Sequence, residues 1–196
     1  MNSRDQILAA VKANQPELTP LPELDSFFQG QETALIEKFS QVLNGIGGKV
    51  TVVANTEEII SLLKANYPTD QIRVISPLSS MQEIANNNIN NHNPHELENV
   101  ELAILPAHFV VAENGACWVD ESILLDRVLP FITQNLILVV NKVDVLPTMH
   151  HAYEKIGNKQ YGYGAFIAGP SKTADIEQSL VLGAHGARSL WVFLIN

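Results

Sequence analysis

The chain has a single cysteine, Cys117, in 196 residues, so no internal disulfide can form and no site built on several thiolates, whether structural zinc or an iron–sulfur cluster, can be completed within it. Positive charge is also scarce. Twelve lysines and arginines face 21 aspartates and glutamates, a net charge of −9 with no basic stripe, which argues against nucleic acid or an anionic membrane as a partner. No apolar run approaches the length of a membrane span, and Met1-Asn2-Ser3-Arg4-Asp5 leads into an amphipathic pattern rather than a signal-peptide core. These features predict a cytoplasmic protein. Only 17% of residues are charged while 46% are hydrophobic, a balance that fits a packed core.

What is present reads as alternating strand and helix. Ser3 can cap a first helix with Ile7, Leu8 and Val11 on one face, and Pro16, Pro20 and Pro22 then enforce an extended connector. This divides the chain into an N-terminal helix and connector (1–30) and an α/β domain (31–196). The first helix would dock on the chain's own body or on a neighbouring subunit, so a homodimer is one arrangement it allows. A helix from Glu32 ends at Gly45, Gly47 and Gly48; strands follow at 49–54, 71–75, 100–105 and 136–140, with helices opening at Thr56 and Met149. The fold class predicted is α/β: an open, mostly parallel sheet with helices on both faces.

Two nucleotide-like motifs fail on context. Gly45-Ile46-Gly47-Gly48-Lys49 lacks the first glycine and the final Ser or Thr of a Walker loop and follows a helix, so it reads as a helix terminus. Asn141-Lys142-Val143-Asp144 matches the guanine-reading pattern after a strand, but no phosphate-binding companion exists. His92 and His95 sit near an asparagine-rich stretch without a third ligand, and no metal is expected.

Three places can carry chemistry. Glu113-Asn114-Gly115 falls at a turn between the extended segments 109–112 and 116–119, because Asn-Gly is a strong hairpin signal. Glu113 is expected against Val110, Val111 and Trp118. Ionised, it would serve as nucleophile or general base; protonated, it could donate to a carboxylate or keto oxygen. Asp120 and Glu121 are expected to pair with Arg127.

The second place is residues 163–196. An apolar run at 165–168 ends at Gly169-Pro170, and Ile176, Leu180 and Val181 return to helix spacing, with Gly183 as the left-handed cap and 190–195 as a buried strand. This predicts a closing strand–helix–strand unit. In its loop, Thr173 caps the helix while Asp175 and Glu177 suit the dipole; alternatively Gly169, Ser171, Lys172 and the loop amides hold an anion. The third is His185, between Gly183 and Gly186, which is either a helix-cap residue or open to a ligand. His150 on the 149–156 helix is expected to pair with Glu154.

GPSKTADIE followed by GAHGA closely resembles the C-terminal signature of the LUD-domain family of lactate utilization proteins, in which G-P-S-x-T-A-D-I-E precedes G-x-H-G. Ala112-Glu113-Asn114-Gly115-Ala116 resembles that family's A-E-T-G-T, with Asn114 and Ala116 departing by the loss of two hydroxyls. The likeness covers 100–196 well and the first half loosely. It implies a CoA-transferase and sugar-isomerase type of fold. It also implies a role in oxidising L-lactate to pyruvate beside an iron–sulfur subunit, with a small carboxylic acid as ligand and no cofactor in this chain. Around such a site the resemblance points to Glu113, Ser171, Lys172, Thr173 and His185. Glu-Asn-Gly is also similar to the active-site glutamate signature of family I CoA-transferases, which implies a stand-alone acyl-transfer enzyme; a structural or regulatory subunit is the third reading.

Overall fold

The computed structural model describes residues 2–20, 34–85, 94–174 and 180–196. The chain divides into two compact units, Met1–Gln31 and Glu32–Asn196. In the first unit, α1 (Ser3–Ala13) is capped by Asn2 rather than Ser3: the Asn2 side chain accepts from the Asp5 N–H at 2.9 Å. Asparagine one residue earlier satisfies the same free amide, so Ser3 becomes the first helical residue. Ile7, Leu8 and Val11 lie on it with 60%, 53% and 57% of their surface exposed.

The second unit is built on a five-stranded sheet of β1 (Lys49–Val53), β2 (Val74–Ile75), β3 (Leu102–Pro106), β6 (Asn135–Asn141) and β11 (Ser189–Ile195). Its order is β1-β11-β6-β3-β2, and every pairing is parallel. The central strands are continuous apolar runs because both faces are covered. On one face Leu102, Ile104, Ile137, Trp191 and Phe193 pack with Ile59 and Leu63 of α3 (Thr56–Asn66). On the other, Leu105, Leu138 and Val192 pack with Phe39 and Leu43 of α2 (Leu35–Gly45) and Leu129 of α4 (Leu129–Ile132). The predicted α/β class with helices on both faces is the observed one.

A second sheet shares that latter core. It contains β4 (Phe109–Val111), β5 (Ala116–Asp120), β7 (Val145–Leu146) and β8 (Gly164–Ile167) in the order β7-β4-β5-β8. Val110, Cys117 and Val119 point into the core shared with the parallel sheet, while Phe109, Val111, Ala116 and Trp118 pack with Ala152 and Ile156 of α5 (Met149–Ile156). β4 and β5 pair antiparallel, as the Asn-Gly turn predicts. Gly164 is required where it stands, since a Cβ there would lie 2.4 Å from Trp118 Cη2.

The C-terminal reading needs correction. Residues 172–182 do not begin and end a helix: β9 (Lys172–Ala174) and β10 (Leu180–Leu182) pair antiparallel, Thr173 opposite Val181. Thr173 is therefore a strand residue, not a helix cap. Gly183 does have a positive φ of 83°, but it ends a strand. Nor is the chain closed by a strand–helix–strand unit, because β8 pairs antiparallel with β5 in the second sheet while β11 lies in the first. Asp175, Glu177 and Ile176, like His92, lie outside the described residues. The first helix of the domain is described from Leu35, and the 71–75 strand shortens to Val74–Ile75.

The packing of α2 is testable through Leu43, which is fully buried. Leu43→Ala is expected to cost about 2–5 kcal/mol, the range for truncating a buried leucine. Urea unfolding of the full chain measures it, and a loss well below 1 kcal/mol would contradict the burial of this face.

Candidate functional site

The Glu113 turn is built by the hairpin. Gly115 has φ 72° and donates to the Val111 carbonyl at 3.0 Å, and the Asn114 side chain accepts from the Ala116 N–H at 3.1 Å. Asparagine thus serves as the local turn-former that its residue type favours. Glu113 is solvent-exposed rather than held among Val110, Val111 and Trp118. The turn lifts it off the strand, and its Oε2 accepts from the Met149 N–H at 2.9 Å, at the start of α5. A carboxylate at this helix end meets a free amide and the positive end of the dipole.

The loop at 169–172 is fixed by its return strand and by α2. Ser171 donates its amide to the Ala187 carbonyl at 2.8 Å and accepts from Gly183 N–H at 3.1 Å, while its Oγ accepts from the His185 N–H at 3.3 Å. The α2 terminus ends in a two-bond cap: Gly48 N–H donates to Leu43 O at 2.9 Å and Gly47 N–H to Asn44 O at 3.0 Å, with Gly47 at φ 91°. This is the helix terminus predicted for the Walker-like run. The Lys172 ammonium donates to the Ile46 carbonyl at that end, where a cation suits the negative pole.

Gly169, Ser171, Lys172 and His185 line one groove of about 300 Å³, whose apolar wall includes Phe131 and Phe166. The structure therefore brings together the second and third predicted places. It does not bring Glu113 or Asn114 to them, for neither lines that groove. Gly115 is buried against α2, where an added Cβ would lie 3.2 Å from Leu43 Cα. Among the described residues no cluster of three potential metal ligands exists. Burial pushes the Cys117 thiol strongly up, so it stays protonated inside the core. In the guanine-like run, Asp144 pairs with Lys155 at 2.7 Å.

Sequence reasoning missed the pair His108–Asp120. Glu121 pairs with Arg127 as expected, but Asp120 turns to His108, whose Nε2 lies 2.9 Å from Asp120 Oδ2. Asp120 Oδ1 also accepts from the Ser122 N–H at 2.9 Å and from the Ser122 hydroxyl. Burial alone would raise the Asp120 carboxyl; His108 and the Ser122 donors outweigh it and hold it below its ordinary value. The register, with Val111 opposite Ala116 across a four-residue turn at 112–115, brings Asp120 near His108, and the Asn-Gly pair alone does not set that register.

A family model described as the LUD domain matches residues 77–195. The chain belongs to the LUD-domain family. A Geobacillus thermodenitrificans protein named Lactate utilization protein C is 26% identical over 196 residues, covering 94% of this chain and 76% of its own length. A Bacillus pumilus protein of the same name is 35% identical over 101 residues, covering 45% of this chain and 42% of its own. The crystal structure of a DUF162 family protein from Deinococcus radiodurans superposes with a TM-score of 0.61 at 17% identity, over 90% of this chain and all of that one. That likeness supports the LUD-domain fold. Among the described residues no helix is long and apolar enough to cross a membrane.

Acid titration tests the Asp120 arrangement. Its folded-state pKa lies below the ordinary 3.8, so its stabilisation is complete above that pH and fades as pH falls through the folded value. Asp120→Asn is expected to lose about 1–2 kcal/mol at neutral pH. The gap from wild type should narrow below pH 3.8. A gap in urea midpoints that stays constant on acidification would contradict the arrangement.

Proposed function

We propose that this LUD-domain chain serves lactate utilization in the cytoplasm, as a subunit supporting oxidation of L-lactate to pyruvate beside an iron–sulfur partner. The observation that carries this reading is the groove in which Ser171, Lys172 and His185 meet. An ammonium has three donors, and Lys172 commits one to Ile46, leaving others for a carboxylate. Ser171 Oγ accepts from His185 N–H and keeps its own proton to donate. The relatives named Lactate utilization protein C support the choice of lactate as the acid.

An iron–sulfur cluster does not fit this chain. Clusters are held by thiolates, and the one thiol here is buried and pushed away from that form. Electron transfer is therefore assigned to the partner, and the part left to this chain is to bind and orient the acid. Purification from the native host under anaerobic, low-salt conditions should yield iron and lactate-oxidising activity together. Lys172→Met should retain the iron and lose about tenfold in activity, the scale of one charged contact. An iron-free eluate without activity would overturn the reading.

A second reading is favoured by one contact. Glu113 uses Oε2 to hold Met149 N–H, and its exposed carboxylate keeps Oε1 for an acyl-CoA. In a CoA-transferase-like reaction, that oxygen attacks the thioester carbonyl and expels the CoA thiolate, leaving an acyl-glutamyl anhydride. The thiolate then attacks the glutamyl carbonyl, releasing the carboxylic acid and forming a glutamyl-CoA thioester. Mass analysis after incubation with several acyl-CoAs should find this adduct in wild type and not in Glu113→Gln. Its absence throughout would dismiss transferase chemistry.

A further inference from the structure

The first helix, α1, has both its ends closed. The Asn2 side chain accepts from the Asp5 N–H at its start, and the Asn14 side chain donates to the Ala10 carbonyl at 2.8 Å at its end. Yet none of its 11 residues is buried. Helices shorter than about 12–15 residues are marginal alone in water and gain their stability by packing an apolar face. Such a face is present: Ile7, Leu8 and Val11 are each more than half exposed and, standing at i, i+1 and i+4, form one stripe.

The charges of α1 indicate which surface this stripe fits. At about 3.6 residues per turn, Arg4 extends the stripe at one end, while Asp5 and Lys12 fall together on a single flank of it, beside Leu8. In an antiparallel pair of identical helices each flank faces its own copy with the direction reversed. Asp5 of one copy then faces Lys12 of the other, and the two-fold axis makes this pair twice. The register that aligns these charges is centred between Leu8 and Ala9. It sets the two Leu8 side chains next to each other at the axis and seats Val11 of each copy between Arg4 and Ile7 of the other. Charge and packing thus require the same register. A parallel pair would instead set the Asp5–Lys12 flank against the opposite one, which holds Ser3, Ala10 and Asn14 and no charge. A membrane surface fits poorly, because helices that lie on one use a strongly basic polar face and aromatic anchors, and α1 has two basic residues, one acidic residue and no aromatic ring.

We propose that α1 is a self-association element: the α1 helices of two copies of this chain pair antiparallel through Ile7, Leu8 and Val11, with Asp5 of each facing Lys12 of the other. The contact is at the small end of interface sizes, so the dimer is weak and concentration-dependent. It uses none of the groove residues and does not rest on the lactate-utilization reading.

Sedimentation velocity of the full chain from micromolar to millimolar concentration tests this pairing. Wild type should pass from monomer to dimer as concentration rises. Leu8→Glu should stay monomeric. At a concentration where wild type is also monomeric, its urea midpoint should be unchanged, since α1 belongs to a compact unit of its own. Asp5→Lys and Lys12→Asp should each weaken the dimer about tenfold, because each turns two attractive pairs into two repulsive ones. The two changes combined should restore it. Both oppose the helix dipole, so if the charges served helix stability alone the combined variant would dimerise less well than either single one. Failure of that rescue would overturn the proposal. So would a wild type that stays monomeric throughout, or a dimer that survives Leu8→Glu. A lowered urea midpoint in monomeric Leu8→Glu would also overturn it, by seating α1 on its own domain.

Discussion

Three stretches of chain meet around Ile46, and the absence of Cβ atoms lets them do so. A Cβ on Gly169 would lie 3.1 Å from the Ile46 carbonyl oxygen, and one on Gly115 would lie 3.2 Å from Leu43 Cα. Both glycines also have positive φ, 77° and 72°, so a side chain at either position would be strained as well as crowded. The α2 terminus is therefore the surface on which both the Glu113 hairpin and the Ser171 loop are seated. Leu43, one turn back, carries the same constraint into the core between the two sheets.

This seating also decides what the charged residues can do. Lys172 completes the end of α2 through Ile46, and Glu113 completes the start of α5 through Met149. Each charge sits at the helix pole that stabilises it. Chemistry at either residue would thus be added to a structural duty, using donors and lone pairs left over. A variant that removes one of these charges perturbs a helix end along with any ligand contact, which is why the informative readouts compare chemically different ligands and not activity alone.

Much of the frame was legible because it obeys local rules. Runs such as 136–140 and 190–195 suit strands with two covered faces, as found, and Asn114-Gly115 announces its hairpin. The segment 172–182 was misread because Leu180 and Val181 satisfy helix spacing, while a three-residue strand is too short for its alternation to compete. Pairing of Thr173 with Val181 is a non-local choice. The groove was partly legible, since Ser171, Lys172 and His185 meet as their shared motif suggests, whereas its wall of Phe131 and Phe166 comes from distant elements. His108 escaped notice for a related reason: its partner depends on strand register, and periodicity alone assigns none.

A smaller cavity, of about 120 Å³ and lined by His108, Trp118 and Asp120 among others, is separated from the groove by one aromatic contact. Phe166 lines the groove and Trp118 lines the cavity; they face each other in the β5–β8 pairing with ring centroids 4.6 Å apart. Trp118 is held on its other sides by Tyr161, edge-on at 5.5 Å, and by the bare Cα of Gly164, where a methyl group would collide with the indole. A ring confined from three directions forms a fixed partition, because close-packed side chains have no spare volume into which to rotate. Among the described residues, Trp118 and Phe166 thus divide the groove from the cavity beside His108, and the two share no lining residue. The glycine at 164 is as much a part of that separation as the aromatic residues themselves.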